Sequence, residues 1–384
     1  MLHLPEPLLR RLFPGRFSAA LPSPLPPPPL VPSAPIRLYI GPVNSAGQGF
    51  AWARAAERID GVAAISLKHV GDDAFRYPAD VTVPSAVFGG SVAWQRRHFR
   101  AVSRFTHVLI EAEMSLFRPW FESDVVREVE ALRRRGVVVG FVSHGSDLRV
   151  PSIHRAGERW SPFADPDWDA VESLERTTRA NLRILELADA PVFVSGPAGR
   201  DYWPAATWLP VAIDPTLWVG RAPALQRRVP RVVHAPSRGV IKGTHLIEPM
   251  LEGLAERGLI EYRRVENTPA EQMPDVYGEA DIVLDSFRTG GYGVAASEAM
   301  AAGRLVVSYV SESIREHVRS TRGLEIPIVQ AEIDQLEAVL TSIAADPDAY
   351  RGFLVDGPAF VDRLHDGRES ARVLEPFLTR SPSS

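Results

Sequence analysis

Short apolar runs ending at glycine or at a polar turn alternate with stretches spaced like helices along most of this chain. RLYIGP, residues 37–42, is such a run, and GQGFAWARAAERIDG continues it with Phe50, Ala53 and Glu57 at helical spacing. THVLIEAE (106–113) predicts a strand, DVVREVEALRRRG (124–136) a helix with Val125, Val129 and Leu132 on one face, and VVVGFVSHG (137–145) a further strand. A long helix through ESLERTTRANLRILELADA precedes the strand PVFVSG, residues 191–196. Strand and helix in regular succession imply a parallel sheet covered by helices.

The pattern breaks into proline and glycine at LPVAIDPTLWVGRAPALQRRVP, residues 209–230, where a domain junction is expected. A second alternation follows. RVVHAPS (231–237), LIEYRRVE, DIVLDSF and RLVVSYV predict strands, and HLIEPMLEGLAERG, EQMPDVYGEA and GVAASEAMAAG predict the helices between them. The expected fold class is α/β, with a first Rossmann-like domain over 36–215 and a second over 216–384. Two doubly wound halves in tandem place ligands in the crevice outside the carboxyl ends of their strands. The closing stretch DGPAFVDRLHDGRESARVLEPFL reads as helical.

Composition narrows the partners. With 384 residues, 45% of them hydrophobic, the chain is long enough for two ordinary domains. A net charge of -4 gives no basic field that would hold nucleic acid by its phosphates, so a small-molecule ligand is expected. Cysteine is absent, which removes disulfides, thiolate metal sites and cysteine nucleophiles. No HExxH occurs, and His144, His154, His234, His245 and His365 show no metal-ligand spacing, so no metal is expected. No apolar stretch is long enough to span a membrane as a helix. The first 35 residues are read as a proline-rich, disordered tail, without a signal peptide, whose segment 22–35 is a polyproline II spacer unable to join a packed core. Leu8, Leu9, Leu12 and Phe13 beside Arg10, Arg11 and Arg16 are compatible with contact at an anionic membrane surface, or with a frayed tail. The expected place is the cytoplasm, with peripheral contact at the inner face of a membrane as a further option.

Candidate chemistry concentrates at strand ends. In TGGYGVAASEAMAAG (289–303), Gly290, Gly291 and Gly293 let backbone approach a ligand, and the helix that follows Val294 aims free N–H groups and a positive dipole end at it. The same stretch also fits a plain strand-to-helix turn. Glu298 lies among Ala295, Ala296, Ala299 and Ala302, where a carboxylate needs a partner or a ligand. Lys242, in HAPSRGVIKGT after a strand, is either a phosphate ligand or a solvated lysine ahead of a helix capped by Thr244. HGSDLR puts His144, Ser146, Asp147 and Arg149 at another strand end, with Asp147 equally able to cap a turn. Walker A and dinucleotide fingerprints are poor fits: GVIKGT is too short, and Gly47 and Gly49 lack the third glycine.

HAPSRGVIKGTHLI, VYGEADIVLDSF and TGGYGVAASEAMAAGRLVV together resemble the donor half of the retaining GT-B glycosyltransferases of the GT4-like group, the glycosyl transferases group 1. The likeness is close from about Arg231 to Val310 and looser in the N-terminal half, through RLYIGPVNSAGQG and VSHGSDLR. It implies the GT-B architecture, two Rossmann-like domains facing each other across a cleft, with the last helix crossing back to the first domain. It also implies a metal-independent transfer of a sugar from a nucleoside-diphosphate donor, UDP or GDP, to a hydroxyl acceptor. No cofactor is then needed beyond the nucleotide sugar as substrate.

By that resemblance Lys242 and Gly243 are the basic-Gly pair on the diphosphate, and Glu298 is the second Glu of an E-x7-E signature holding the ribose. Tyr277, Ala280 and Asp281 match a Y-x-x-A-D block. Ser237 occupies the usual arginine position, five before Lys242, so Arg238 becomes the second cation candidate. Gly290 stands where the first Glu of the signature is expected, and Asp285 is the nearest carboxylate to replace it. Gly290, Gly291, Tyr292, Gly293 and Val294 complete the expected donor site. His144 is the expected contact to the transferred sugar, giving His144, Lys242 and Arg238 as the catalytic set. Asn44, Gly47, Gln48 and Asp147 are the expected acceptor side. Three alternatives stay open: a GT-B sugar-nucleotide epimerase, an inactive nucleotide-sugar-binding partner subunit suggested by Gly290, and a NAD-dependent dehydrogenase.

Overall fold

The computed structural model describes residues 21–71, 74–219 and 222–381. The expectations placed on residues 1–20 lie outside them. Two parallel sheets organise the chain. The first contains β1 (Ile36–Gly41), β2 (Val62–Val70), β3 (Val81–Pro84), β4 (His107–Glu111), β5 (Val138–Ser143), β6 (Val192–Val194) and β7 (Thr207–Trp208), in the spatial order β3-β2-β1-β4-β5-β6-β7. The second contains β8 (Arg231–His234), β9 (Glu261–Arg264), β10 (Ile282–Leu284), β11 (Leu305–Ser308) and β12 (Val329–Gln330), in the order β12-β11-β10-β8-β9.

Strand order reverses between β1 and β4 in the first sheet and between β8 and β10 in the second, and open parallel sheets bind ligands beyond such reversals. Both sheets are covered on both faces, which is why their strands read as continuous apolar runs. Along β1, Leu38 and Ile40 enter one core with Leu109 of β4, while Tyr39 enters the opposite core with Val108 and Ile110. Along β8, Val232 and Val233 divide in the same way between the two cores of the second sheet.

Three features depart from the sequence reading. Strands β2 and β3 and the helices Ser85–Gly90 and Val92–Val102 fill a stretch that the alternation had left unassigned. Their apolar signal is diluted by buried polar residues, among them Lys68, Gln95 and His98. The spacer also joins a core after all: its Leu25 and Val31, with Leu21 just before it, pack against the first domain. Proline withholds backbone donors but does not stop interspersed leucine and valine side chains from packing.

Helix Arg368–Leu378 packs on helix Gln48–Ala56, with Leu374, Phe377 and Leu378 in the core that holds Leu38 and Trp52. A strap over residues 158–165 ties the domains along the cleft. Arg288, buried, donates to Trp160 O (2.9 Å), Ser161 O (3.0 Å) and Asp165 Oδ2 (2.7 Å), and the Tyr309 hydroxyl donates to Glu158 (2.8 Å).

Candidate functional site

The two sheets turn their carboxyl ends toward one cleft of about 310 Å³. Its C-terminal wall begins where β8 ends. The chain passes Ser237 into the short helix Gly239–Lys242, which Gly243 terminates at φ +87°. His234 sits beneath this turn, its Nδ1 facing Leu284 O (3.0 Å) and its Nε2 facing the Thr244 hydroxyl (2.9 Å). A carbonyl only accepts, so Nδ1 carries the proton and Nε2 accepts from Thr244. Thr244 thus bonds His234 and not its own helix end. Lys242 Nζ forms an ion pair with Asp285 Oδ1, at the end of β10, while Asp285 Oδ2 is buried without a hydrogen-bond partner.

The loop after Asp285 carries the glycines. Gly290 has φ +66°, a conformation that disfavours side chains, and a Cβ there would lie 2.7 Å from Glu158 Oε1. A Cβ on Gly293 would meet nothing within 4 Å, so this glycine leaves open space at the start of helix Val294–Ala301. That helix has no side-chain cap, and both Val294 and Ala295 line the cleft. Its first amides therefore present unsatisfied donors and a positive dipole end there. Glu298, one turn further on, also lines the cleft and has no hydrogen-bond partner among the described residues. Burial, and then the charge of Asp285, push its carboxyl up to about 8.

The N-terminal wall is built on β4 and β5. His144 follows β5, stacks on Trp52 with ring centroids 5.5 Å apart, and lies with Nε2 3.2 Å from Glu111 Oε1. Glu111 Oε2 accepts the amides of Val43 (2.9 Å) and Asn44 (2.8 Å). Burial lowers the His144 pKa, yet the hydrogen bond and charge of Glu111, helped by Asp147, outweigh it and leave the imidazole above its ordinary 6.5. Asp147 takes the amides of His144 (2.7 Å) and Gly145 (2.6 Å), fixing the turn that presents the histidine. Arg149 and Tyr202 complete this wall.

The structure brings Ser237, Lys242, Asp285, Gly291, Tyr292, Gly293, Val294 and Glu298 onto one wall, with His144 and Gln48 opposite. It does not bring the rest of the expected site there. Arg238 is exposed and does not line the cleft, because it precedes the short helix and its carbonyl accepts the Lys242 amide. Gly243 faces Arg288, and Gly290 faces Glu158. Asn44 is buried, donating from Nδ2 to Pro78 O and accepting from Phe50 N. Gly47, at φ +75°, packs under Tyr77, and Asp147 is occupied as a turn cap. Gln48 reaches the cleft, but its amide clamps Ala212 in both directions, at 3.0 and 2.8 Å. Asp281 holds backbone too, accepting the amides of Leu225 and Arg231.

Glu111, Trp52 and Tyr202 were not selected from sequence as site residues, and Arg149 was noted at its strand end without a role. Glu111 had a usable signal, since it ends an apolar strand just where the sheet order reverses. No group of three or more His, Asp or Glu residues able to hold a metal occurs among the described residues, and no helix among them is long and apolar enough to cross a membrane.

Residues 218–346 match the family described as Glycosyl transferases group 1. No curated protein matches the sequence. Among solved structures, Anabaena HepE in complex with UDP and glucose aligns with a TM-score of 0.57 at 13% identity, covering 89% of this chain and 99% of that one. Sucrose-phosphate synthase from Thermosynechococcus elongatus gives 0.55 at 14% identity, covering 90% and 98%. An alpha-glucosyltransferase in complex with UDP gives 0.59 at 9% identity, covering 90% and 100%. The fold is that of the GT-B glycosyltransferases.

Proposed function

We propose that this chain, a GT-B protein whose second domain carries the glycosyl transferases group 1 pattern, transfers a sugar from a nucleoside-diphosphate donor to a hydroxyl acceptor. One observation carries the proposal. Lys242, the uncapped start of helix Val294–Ala301 and the unpartnered Glu298 converge on one wall of the cleft, opposite His144. A departing diphosphate concentrates negative charge. Lys242 and the amides at Val294 and Ala295 stabilise that charge without a protein-bound metal. Glu298 accepts from the ribose diol, and His144, held by Glu111, faces the transferred sugar.

UDP is the first donor nucleotide to test, since HepE and the alpha-glucosyltransferase are both seen with UDP. Retention of configuration is the stereochemical outcome that the family resemblance supports, and the acceptor is proposed to enter against the N-terminal wall. Closure of the two domains excludes water from the reacting sugar.

Thermal unfolding with UDP, GDP, ADP, dTDP and NAD, repeated on Lys242→Ala and Glu298→Ala, tests the donor site. Stabilisation by one nucleoside diphosphate that both substitutions weaken is the expected result. No shift with any of them at millimolar concentration defeats the proposal. A shift with NAD and none with the nucleoside diphosphates returns the dehydrogenase reading. Nucleotide binding without turnover of any donor and acceptor pair identifies a binding partner subunit.

A further inference from the structure

Two lysine or arginine side chains line the cleft among the described residues, Lys242 on one wall and Arg149 on the other. Lys242 is matched by Asp285. Arg149 is different. None of the ion pairs among the described residues involves it, and its guanidinium lies beside the phenol of Tyr202, itself on the cleft wall. The acids in its field are elsewhere engaged or more distant: Asp147 serves the His144 and Gly145 amides, Glu158 accepts from Tyr309, and Asp201 acts only through its charge. Space beside the fork is kept by Gly145, at φ +136°, where a Cβ would sit 3.6 Å from Arg149 Nη2.

A guanidinium offers five N–H donors in a planar fork whose spacing matches the paired oxygens of carboxylate or phosphate. One phenol leaves most of these donors open to a ligand in the cleft that Arg149 lines. We propose that Arg149, with Tyr202 beside it, is a subsite for an oxyanion group of the substrate, a phosphate or a carboxylate, presented to the N-terminal wall. The proposal rests on the glycosyltransferase reading for its cleft and deepens it, because it makes one substrate anionic where it meets the first domain. The oxyanion has two possible sources, the diphosphate of the donor or an acidic group on the acceptor.

Calorimetric titration of the full chain, wild type, Arg149→Met and Arg149→Lys, with UDP, with uridine, and with inorganic phosphate in the absence and presence of saturating UDP, separates these sources. If Arg149 grips the donor, Arg149→Met weakens UDP by about tenfold or more while uridine binds as before. If it grips the acceptor, UDP binds Arg149→Met normally, and phosphate binding to the UDP-saturated wild type is lost in that variant. Arg149→Lys keeps the charge without the fork and falls between the two in either case. It also serves as the probe if Arg149→Met fails to fold. UDP and phosphate titrations indistinguishable between wild type and folded Arg149 variants overturn the subsite. Failure of UDP to bind the wild type, with phosphate still bound through Arg149, defeats the nucleotide reading alone and leaves the subsite standing.

Discussion

Glu111 holds His144 with one carboxylate oxygen, 3.2 Å from Nε2, and holds the Val43 and Asn44 amides with the other, so one buried acid joins the first loop of the N-terminal domain to the histidine of the cleft. Replacing it by glutamine keeps the shape and removes the charge. Burial is the largest influence on His144 and pushes its pKa down, so Glu111→Gln is expected to drop that pKa below 6.5, from the raised value of the native protein. Histidine NMR titration reads this directly, and an unchanged His144 titration would count against the pair.

The same pair has a stability signature with a defined sign. A histidine whose folded pKa lies above its unfolded one contributes stability that is complete below pH 6.5 and is lost as the pH rises through the folded value. Glu111→Gln should therefore cost more at pH 6, by about 1–2 kcal/mol, than at pH 9, where only the weakened bonds to Val43 and Asn44 remain. Urea unfolding at the two pH values measures the difference.

Glu298 predicts the same direction with pH, through an acid instead of a base. Its carboxyl, pushed up to about 8, stays protonated in the folded protein where the unfolded chain has already ionised. Stability is consequently lost as the pH rises from 4.5 to about 8 and then levels off. Glutamine escapes that loss, so Glu298→Gln should match the wild type at pH 5 and exceed it at pH 9 by about 1–3 kcal/mol. Equal differences at both pH values would show that burial of the charge is not what matters.

The Lys242–Asp285 pair is a test of mutual dependence. Lys242→Met leaves Asp285, almost fully buried and already with one unpartnered oxygen, without its counter-charge. A cost of about 1–3 kcal/mol is expected, and adding Asp285→Asn should recover part of it, since removing both charges is cheaper than stranding one. Strict additivity in denaturant unfolding would mean that the pair is too well solvated to couple.

Gly290 is constrained twice. Gly290→Ala meets both the positive φ and the Glu158 carboxylate 2.7 Å away, for a loss of about 2–3 kcal/mol. Glu158→Ala in the same chain should remove the contact and leave about 1 kcal/mol of backbone strain. The double-mutant cycle isolates a contact that crosses from one domain to the other.

Much of the C-terminal wall of the cleft was legible before any fold was known. The runs 231–237 and DIVLDSF, the glycines after Thr289 and a lone glutamate in an alanine-rich helix all express local rules of period, chain flexibility and desolvation. The N-terminal wall was less so. HGSDLR marked a turn that reaches the cleft, yet Asp147 proved to hold that turn and Asn44 to anchor its own loop, while Glu111 passed as one more residue of an apolar strand. Buried polar residues that find partners far along the chain, such as Glu111 with His144, leave no local periodicity by which to recognise them.

By itself the amino-acid sequence determined two parallel α/β halves, the turn at which each changes from strand to helix, and the acid and lysine of the second half, because all of these follow from neighbours a few residues apart. Only the tertiary structure decided which arginine meets the cleft. Arg238, five residues from the helix end at Gly243, points to solvent, whereas Arg149, from the other domain, lines the site, and Glu158 fills the space beside Gly290. These relations join residues more than eighty positions apart across a domain boundary. They are set by how two packed surfaces meet, for which spacing along one strand or helix carries no information.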